Sequence, residues 1–184
     1  MEQILVSACL LGRPVRYDGT AKRRDDEILT RWREEGRLLS VCPEVSGGLT
    51  VPRPPAEVSM AAIPGDTEAP VPRDAVLNGE AVLDGHARVL TAAGVDVTSP
   101  FIRGAEQALG VAQRNGVRLA VLKEGSPSCG TNRIYDGTFT GTSVTGFGVT
   151  TALLGRYGIR VFNEDQLEEA AGYLEHLEAA GTVS

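Results

Sequence analysis

Cys9, Cys42 and Cys129 are the only thiols in the chain. Each is expected where a strand gives way to a loop, in Val6-Ser7-Ala8-Cys9-Leu10-Leu11-Gly12, Val41-Cys42-Pro43-Glu44 and Ser126-Pro127-Ser128-Cys129-Gly130. In an α/β protein the strand ends gather along one edge of the sheet and ligands bind there, so residues far apart in sequence can meet at one site. Three converging thiolates leave a fourth coordination position open. An iron–sulfur cluster needs that opening if it is to bind a substrate rather than only pass electrons. The opposing reading is that free cysteines are small buried hydrophobes, and residue chemistry alone leaves both readings standing. Zinc is the rival metal. Structural zinc takes four protein ligands, often from close Cys pairs, and no such pair exists here. Catalytic zinc favours His, but His86 and His176 fall in a hairpin region and on a terminal helix, where surface positions are expected. Soft sulfur ligands without helpers favour iron–sulfur.

The elements that must position these thiols follow from hydrophobic periodicity. Residues 3–8 read as a buried first strand. Residues 25–35 read as a helix with Ile28, Leu29 and Trp32 on one face. Gly36 ends it, and residues 37–42 form a second strand, so the chain opens with a βαβ unit. From 43 to 72 it is rich in Pro and Gly, and Val51-Pro52-Arg53-Pro54-Pro55 is incompatible with a helix. A short strand is expected over 56–63, and Asn78-Gly79 within 73–84 signals a hairpin. Residues of about 50–85 are therefore expected to be a loop and hairpin excursion within a single domain spanning 1–184. A helix begins at Thr98 with Pro100 in its first turn, Ile102, Ala105, Leu109 and Ala112 inward, and Gly116 at its end. Residues 117–122 (Val-Arg-Leu-Ala-Val-Leu) read as a central parallel strand. A helix over 147–157, a strand over 159–162 and a C-terminal helix within 163–184 complete the chain. In that last helix Leu167, Ala171, Leu174 and Leu177 face inward across 165–179. The alternation predicts a three-layer α/β/α sandwich with a mostly parallel, Rossmann-like sheet. Right-handed crossovers would then put all three cysteines on one edge.

Composition narrows the partners. The chain has 184 residues, enough for a proper core, and carries 18 Lys plus Arg against 24 Asp plus Glu, a net charge of −6. A duplex or large RNA calls for a strongly basic surface, so no nucleic acid is expected, and Lys22-Arg23-Arg24 reads as solvated surface. An acidic chain suits a small-molecule substrate. The run from Ile4 to Leu11 is too short to span a membrane, and no basic region precedes it. An odd number of widely spaced cysteines argues against a disulfide framework. A cytoplasmic protein is expected.

Four blocks of the sequence are familiar together. They are Ser7-Ala8-Cys9-Leu10-Leu11-Gly12 with Val15-Arg16-Tyr17-Asp18-Gly19; Cys42-Pro43-Glu44-Val45-Ser46-Gly47-Gly48-Leu49 with Pro52-Arg53-Pro54-Pro55-Ala56-Glu57; Gly94-Val95-Asp96-Val97-Thr98 with Gly104-Ala105; and Leu122-Lys123-Glu124-Gly125-Ser126-Pro127-Ser128-Cys129-Gly130 with Ile134-Tyr135-Asp136-Gly137-Thr138-Phe139. Over residues 4–162 the chain resembles the thiouracil desulfidase family, also catalogued as domain of unknown function 523. It departs from the family pattern at Thr50-Val51, where Pro-Thr is expected, a difference that touches loop shape rather than ligation. The resemblance implies that Cys9, Cys42 and Cys129 hold a 4Fe-4S cluster by three irons and leave the fourth free. That iron accepts sulfur from a thiolated pyrimidine base or nucleoside, and the product is the carbonyl compound.

Other residues then take candidate roles. Glu44, two positions after a ligand, either pairs with Arg53 and caps loop amides or does general acid–base work, its pKa raised by an anionic cluster. Ser126 and Ser128 either satisfy the turn around Pro127 or relay a proton. Lys123 and Glu124 leave the central strand at the same edge, where they pair with each other or contact substrate, with balancing of cluster charge as a further role open to Lys123. Arg16 and Asp18 either form an ion pair or bind substrate, with Asp18 accepting a pyrimidine N–H. The Gly- and hydroxyl-rich segment 137–148 precedes a helix, and its amides could hold a phosphate. Without a P-loop or dinucleotide fingerprint, a lid or tight turn is expected instead. Two further hypotheses stay in view: a non-enzymatic iron–sulfur redox or sensor module, and metal-free thiol catalysis with Cys129 as nucleophile.

Overall fold

A computed structural model describes residues 1–60 and 77–181. In chain order its elements are β1 (Ile4–Ser7), α1 (Glu27–Glu34), β2 (Leu38–Val41), α2 (Pro43–Ser46), β3 (Ala56–Ser59), α3 (Gly79–Leu83), β4 (Arg88–Thr91), α4 (Thr98–Arg114), β5 (Leu119–Leu122), β6 (Arg133–Tyr135), β7 (Ser143–Thr145), α5 (Val149–Arg156), β8 (Arg160–Asn163) and α6 (Leu167–Gly181).

The main sheet runs β2-β1-β5-β8 with every pairing parallel. Its strands are apolar on both faces because both are covered. Ile4, Val6, Leu119 and Val121 point to one side, where they meet Leu29 and Trp32 of α1 and Leu167, Ala170 and Leu174 of α6. Leu5, Ala120 and Leu122 alternate to the other side, against Ala108, Leu109 and Ala112 of α4 and Leu154 of α5. These are the three layers expected from the alternation of elements. The chain runs from β1 through α1 to β2 on one side, and later adds β5 on the other side of β1. The order therefore switches direction between β1 and β5, and the C-terminal ends of strands flanking such a point open a crevice.

A smaller body lies beside the sandwich. β3 pairs antiparallel with β4, and β6 with β7. Val58, Val82, Val89 and Ile134 pack there against Phe101 of α4 and Val149 of α5. The expected strand over 56–63 is present as β3, and its last residues, 61–63, lie outside the described residues. The excursion from the sandwich runs past 85, since β4 is the partner of β3. Asn78-Gly79 does not turn a hairpin. Asn78 is the N-cap of α3, its Oδ1 accepting from the Ala81 N–H at 3.0 Å; the side chain of Asn can end an orphaned helix turn as readily as it fills a tight hairpin. Residues 73–76 of that expected hairpin lie outside the described residues. β6 and β7, three residues each, occupy ground expected to be loop. Among the described residues no helix is long and apolar enough to cross a membrane.

Candidate functional site

The three cysteines follow three adjacent strands of the parallel sheet. Cys9 lies in the turn after β1, Cys42 directly after β2, and Cys129 in the loop after β5. All three are free and all line one cavity of about 490 Å³, within the usual range for a small-molecule site. Cys9 and Cys129 are buried and Cys42 partly so. The Cys42 thiol makes a weak contact to the Val15 carbonyl at 3.8 Å.

Three structural devices hold this geometry. First, α4 passes so close to the start of α2 that a Cβ on Gly104 would stand 2.0 Å from the Pro43 carbonyl oxygen. Only glycine permits that approach beside Cys42. Second, the Cys129 loop folds round the Glu124 carboxylate. Its oxygens accept from the amides of Gly125 at 3.0 Å, Thr131 at 3.2 Å and Arg133 at 3.0 Å, from Thr131 Oγ1 at 2.7 Å, and from Asn163 Nδ2 at 2.8 Å. Third, the loop's carbonyls dock on the start of α5. Gly148 N–H donates to Gly130 O at 2.8 Å, Val149 N–H to Pro127 O at 3.0 Å, Thr150 N–H to Ser128 O at 2.9 Å, and Thr151 Oγ1 to Cys129 O at 2.9 Å. Amides that could have held a phosphate are thus taken by the cysteine loop itself.

Charge around the thiols is mixed. Burial, with a lesser push from Cys42, raises the Cys9 pKa to about 11, while Lys123 and Arg16 pull it down. Burial likewise raises Cys42, and Cys129 further still, with a hydrogen bond from Ser7 opposing. As bare thiols the three are poor anions and poor nucleophiles at neutral pH, which tells against metal-free catalysis by Cys129. A metal core that binds thiolate reverses this penalty. Among the described residues no group of three or more His, Cys, Asp or Glu side chains is placed to hold a single metal ion. One zinc would draw its sulfurs to within about 4 Å of each other. Three soft sulfur donors around one shared cavity suit a multi-iron core, in which each thiolate takes its own iron.

Glu44, in α2, faces the same cavity. Arg53 grips Glu44 Oε2 through Nε at 2.9 Å and also through Nη2. The guanidinium is itself fixed by the carbonyls of Val15 at 3.3 Å and Thr50 at 3.1 Å. Ser126 Oγ accepts from the amides of Ser128 at 3.0 Å and Cys129 at 3.2 Å. Those donors occupy its lone pairs, so its proton is directed to Glu44 Oε1 at 3.3 Å.

The remaining candidates divide. Arg16 and Lys123 line the cavity; Lys123 Nζ pairs with Glu164 and donates to Glu124 O at 2.9 Å. Glu124 also lines it, but its carboxylate is spent on the loop rather than on a ligand. Ser128 is not in the lining. It is fully buried, its hydroxyl shared with Thr150 Oγ1 at 2.8 Å, so of its two readings the structure supports a structural role and not the proton relay. Asp18 is likewise outside the lining. Thr20 and Arg16 hold its carboxylate, Thr20 Oγ1 at 2.6 Å and Arg16 Nη1 at 3.2 Å, which is the ion-pair alternative. His86 and His176 are exposed and away from the cavity. Sequence reasoning missed Ser7, Tyr17, Glu57 and Tyr135 as lining residues, and Lys22, read there as solvated surface, also lines the cavity. Ser7, two positions before Cys9 at a strand end, was the one with a positional signal.

The family model for 2-thiouracil desulfurase matches residues 4–166. The chain belongs to the 2-thiouracil desulfurase family. One relative, an uncharacterized protein (YbbK) of Bacillus subtilis strain 168, is 40% identical over 166 residues, covering 90% of this chain and 98% of its own. A solved structure described as a 4Fe-4S-dependent thiouracil desulfidase, TudS, matches with a TM-score of 0.78 and 49% identity, over 95% of this chain and 99% of that one. The match includes the stretch in which this desulfurase chain carries its three cysteines.

The Glu124 anchor yields a stability prediction. Burial opposes its charge, but hydrogen bonds from Thr131, Arg133, Gly125 and Asn132 outweigh burial and hold its pKa below the ordinary carboxylate value. A depressed folded pKa contributes stability above the unfolded pKa that is lost as pH falls through the folded one. Glu124→Ala leaves several loop amides unmet, at a cost of about 2–4 kcal/mol. A fall in Tm of roughly 5–15 °C at neutral pH is expected. The gap between Glu124→Ala and wild type should narrow as pH falls through the folded pKa of Glu124, below the ordinary carboxylate range, and an undiminished gap in strong acid would refute the anchor.

Proposed function

We propose that the protein is an iron–sulfur-dependent desulfidase that converts a thiolated pyrimidine, such as 2-thiouracil, to its carbonyl counterpart. Cys9, Cys42 and Cys129 would hold a 4Fe-4S cluster. When bound, the cluster supplies a Lewis-acidic iron without a protein ligand, able to accept sulfur. The overall change exchanges sulfur for the oxygen of water: a C–O bond forms, the C–S bond breaks, and water's two protons end on the sulfide. The chain's own groups handle those protons. Glu44 has one oxygen fixed by Arg53, leaving Oε1 to take a proton from water as general base. Ser126, with its own proton directed at Oε1, keeps that oxygen facing the cavity, and Glu44 itself returns the proton to the departing sulfide. Arg16 and Lys123 offset the negative charge that gathers beside Cys9. Reduced thiols of this kind suit a reducing compartment, so we assign the protein to the cytoplasm.

The observation that carries the reading is the convergence of three free cysteines, from three neighbouring strand ends, on a cavity that also holds Glu44 and Ser126. Anaerobic purification is expected to yield a brown protein with about four irons per chain that turns 2-thiouracil into uracil. Glu44→Gln should keep the iron and lose at least about 100-fold in kcat. A folded, colourless protein that iron and sulfide cannot reconstitute would overturn the proposal.

A further inference from the structure

The cavity wall is built mainly of thiol, charged and small residues. Tyr17 and Tyr135 stand apart as the aromatic side chains lining it among the described residues. They are 41% and 40% exposed, and among the described residues the only other exposed aromatic is Tyr157. Two of three exposed rings thus sit at this one opening. An isolated exposed ring needs no explanation, but two lining one concave site do.

Both rings stand on fixed backbone. Tyr135 ends β6, directly after Ile134, which is fully buried in the smaller body. The strand pleat therefore turns Tyr135 the other way, out of that core. The loop that follows it is pinned by the Glu57 carboxylate, which accepts from Gly137 N–H at 2.9 Å and Phe139 N–H at 3.1 Å. Tyr17 lies in the loop after β1. Its carbonyl accepts from Arg53 N–H at 2.8 Å, which ties it to the residue that grips Glu44. Carboxylate, ammonium and hydroxyl groups can meet the polar edge of a heterocycle but offer little to its faces, and the Arg16 guanidinium, which can stack, is already over the Tyr17 ring at 5.6 Å from its centroid. A flat ring laid on a tyrosine removes apolar area from water and stacks.

We propose that Tyr17 and Tyr135 are the specificity residues of the cavity, taking the faces of a planar heteroaromatic thiocarbonyl and setting the preference for a ring over an acyclic thioamide or thiourea. The proposal rests on the desulfidase reading and narrows its substrate class. In the cluster-loaded protein, Tyr17→Ala and Tyr135→Ala should each raise KM for 2-thiouracil roughly 5- to 100-fold, with the loss falling on KM rather than kcat. Tyr17→Phe and Tyr135→Phe, which keep the ring, should restore KM to within about threefold of wild type. Iron content should be the same in all five proteins.

Uracil binding by calorimetry gives a readout that needs no sulfur chemistry, and it should weaken by the same factor in each alanine variant. The ratio of the inhibition constant of thiourea to that of uracil should fall in step, because thiourea has no ring face to lose. Alanine variants that bind uracil as wild type does, or an unchanged thiourea ratio, overturn the proposal while leaving the desulfidase reading intact. Wild type that binds uracil through these tyrosines but removes no sulfur overturns the desulfidase reading and leaves the ring-binding assignment. Wild type that binds neither ring overturns both.

Discussion

Cys129→Ser is expected to strip the iron from the protein and abolish desulfuration together, and Cys9→Ser and Cys42→Ser are expected to do the same. Each thiol is one of three soft donors at one cavity, and serine offers a hard oxygen that suits iron–sulfur chemistry poorly. Loss of an outer partner of a metal ligand alone costs 10–100-fold, so loss of a ligand should take turnover down by well over 100-fold. The fold should survive, because the exchange is nearly isosteric and removes no large apolar group. Circular dichroism should match wild type while iron content drops from about four per chain to near zero. The equality of the three variants is the informative part. Metal-free catalysis by Cys129 would make Cys129→Ser dead and leave the other two active. The geometry already speaks against it, since Cys129 is the most buried of the three thiols and its pKa is the most strongly raised. Retention of iron and turnover by Cys9→Ser would be enough to end the three-thiol site.

Much of the site's placement is legible in the sequence, and the reason is physical. Parallel strands buried on both faces announce themselves as apolar runs, as Leu119–Leu122 does. The amphipathic faces of α1, α4 and α6 repeat at helical spacing. Once the strands were located, the cysteines at their ends followed from how α/β sheets gather strand termini. The smaller body was harder. β6 and β7 have three residues each, too few to display an alternation, and Asn78-Gly79 has the same composition whether it turns a hairpin or starts a helix. Side-chain destinations were least legible. Glu44 and Arg53 pair as one of the two readings of Glu44 anticipated. Nothing local distinguishes Ser126, whose hydroxyl meets Glu44, from Ser128, whose hydroxyl is buried against Thr150. Which serine faces the cavity is decided by the docking of the loop on α5, a contact between residues some 20 positions apart.

Gly148→Ala is expected to disturb the thiol site without replacing any residue that lines it. A Cβ at Gly148 would lie 2.3 Å from the Ser128 carbonyl carbon, 2.4 Å from its oxygen and 2.7 Å from the Cys129 nitrogen. All three are backbone atoms, so no side chain can swing aside, and the loop or the helix must move. The loop is the lighter partner, because α5 is seated in the core through Val149, Ala152 and Leu154. A shift of about 1 Å there moves Cys129 relative to Cys9 and Cys42 and breaks the hydrogen bonds that Val149 and Thr150 make to the loop. Overpacking of this kind costs about 1–3 kcal/mol, which a chain of this size can survive. Displacement of a metal ligand by the same distance is a larger fraction of its tolerance. Gly148→Ala is therefore expected to fold, to melt several degrees lower, and to bind less than half the wild-type iron. Gly155→Ala is the matched control. It lies on the same helix with nothing within 4 Å of its added methyl, and alanine in a helix interior is favoured over glycine by about 1 kcal/mol. That variant should keep its iron and melt at or above the wild-type temperature. If Gly148→Ala carries a full complement of iron, the docking of the cysteine loop on α5 does not control the site.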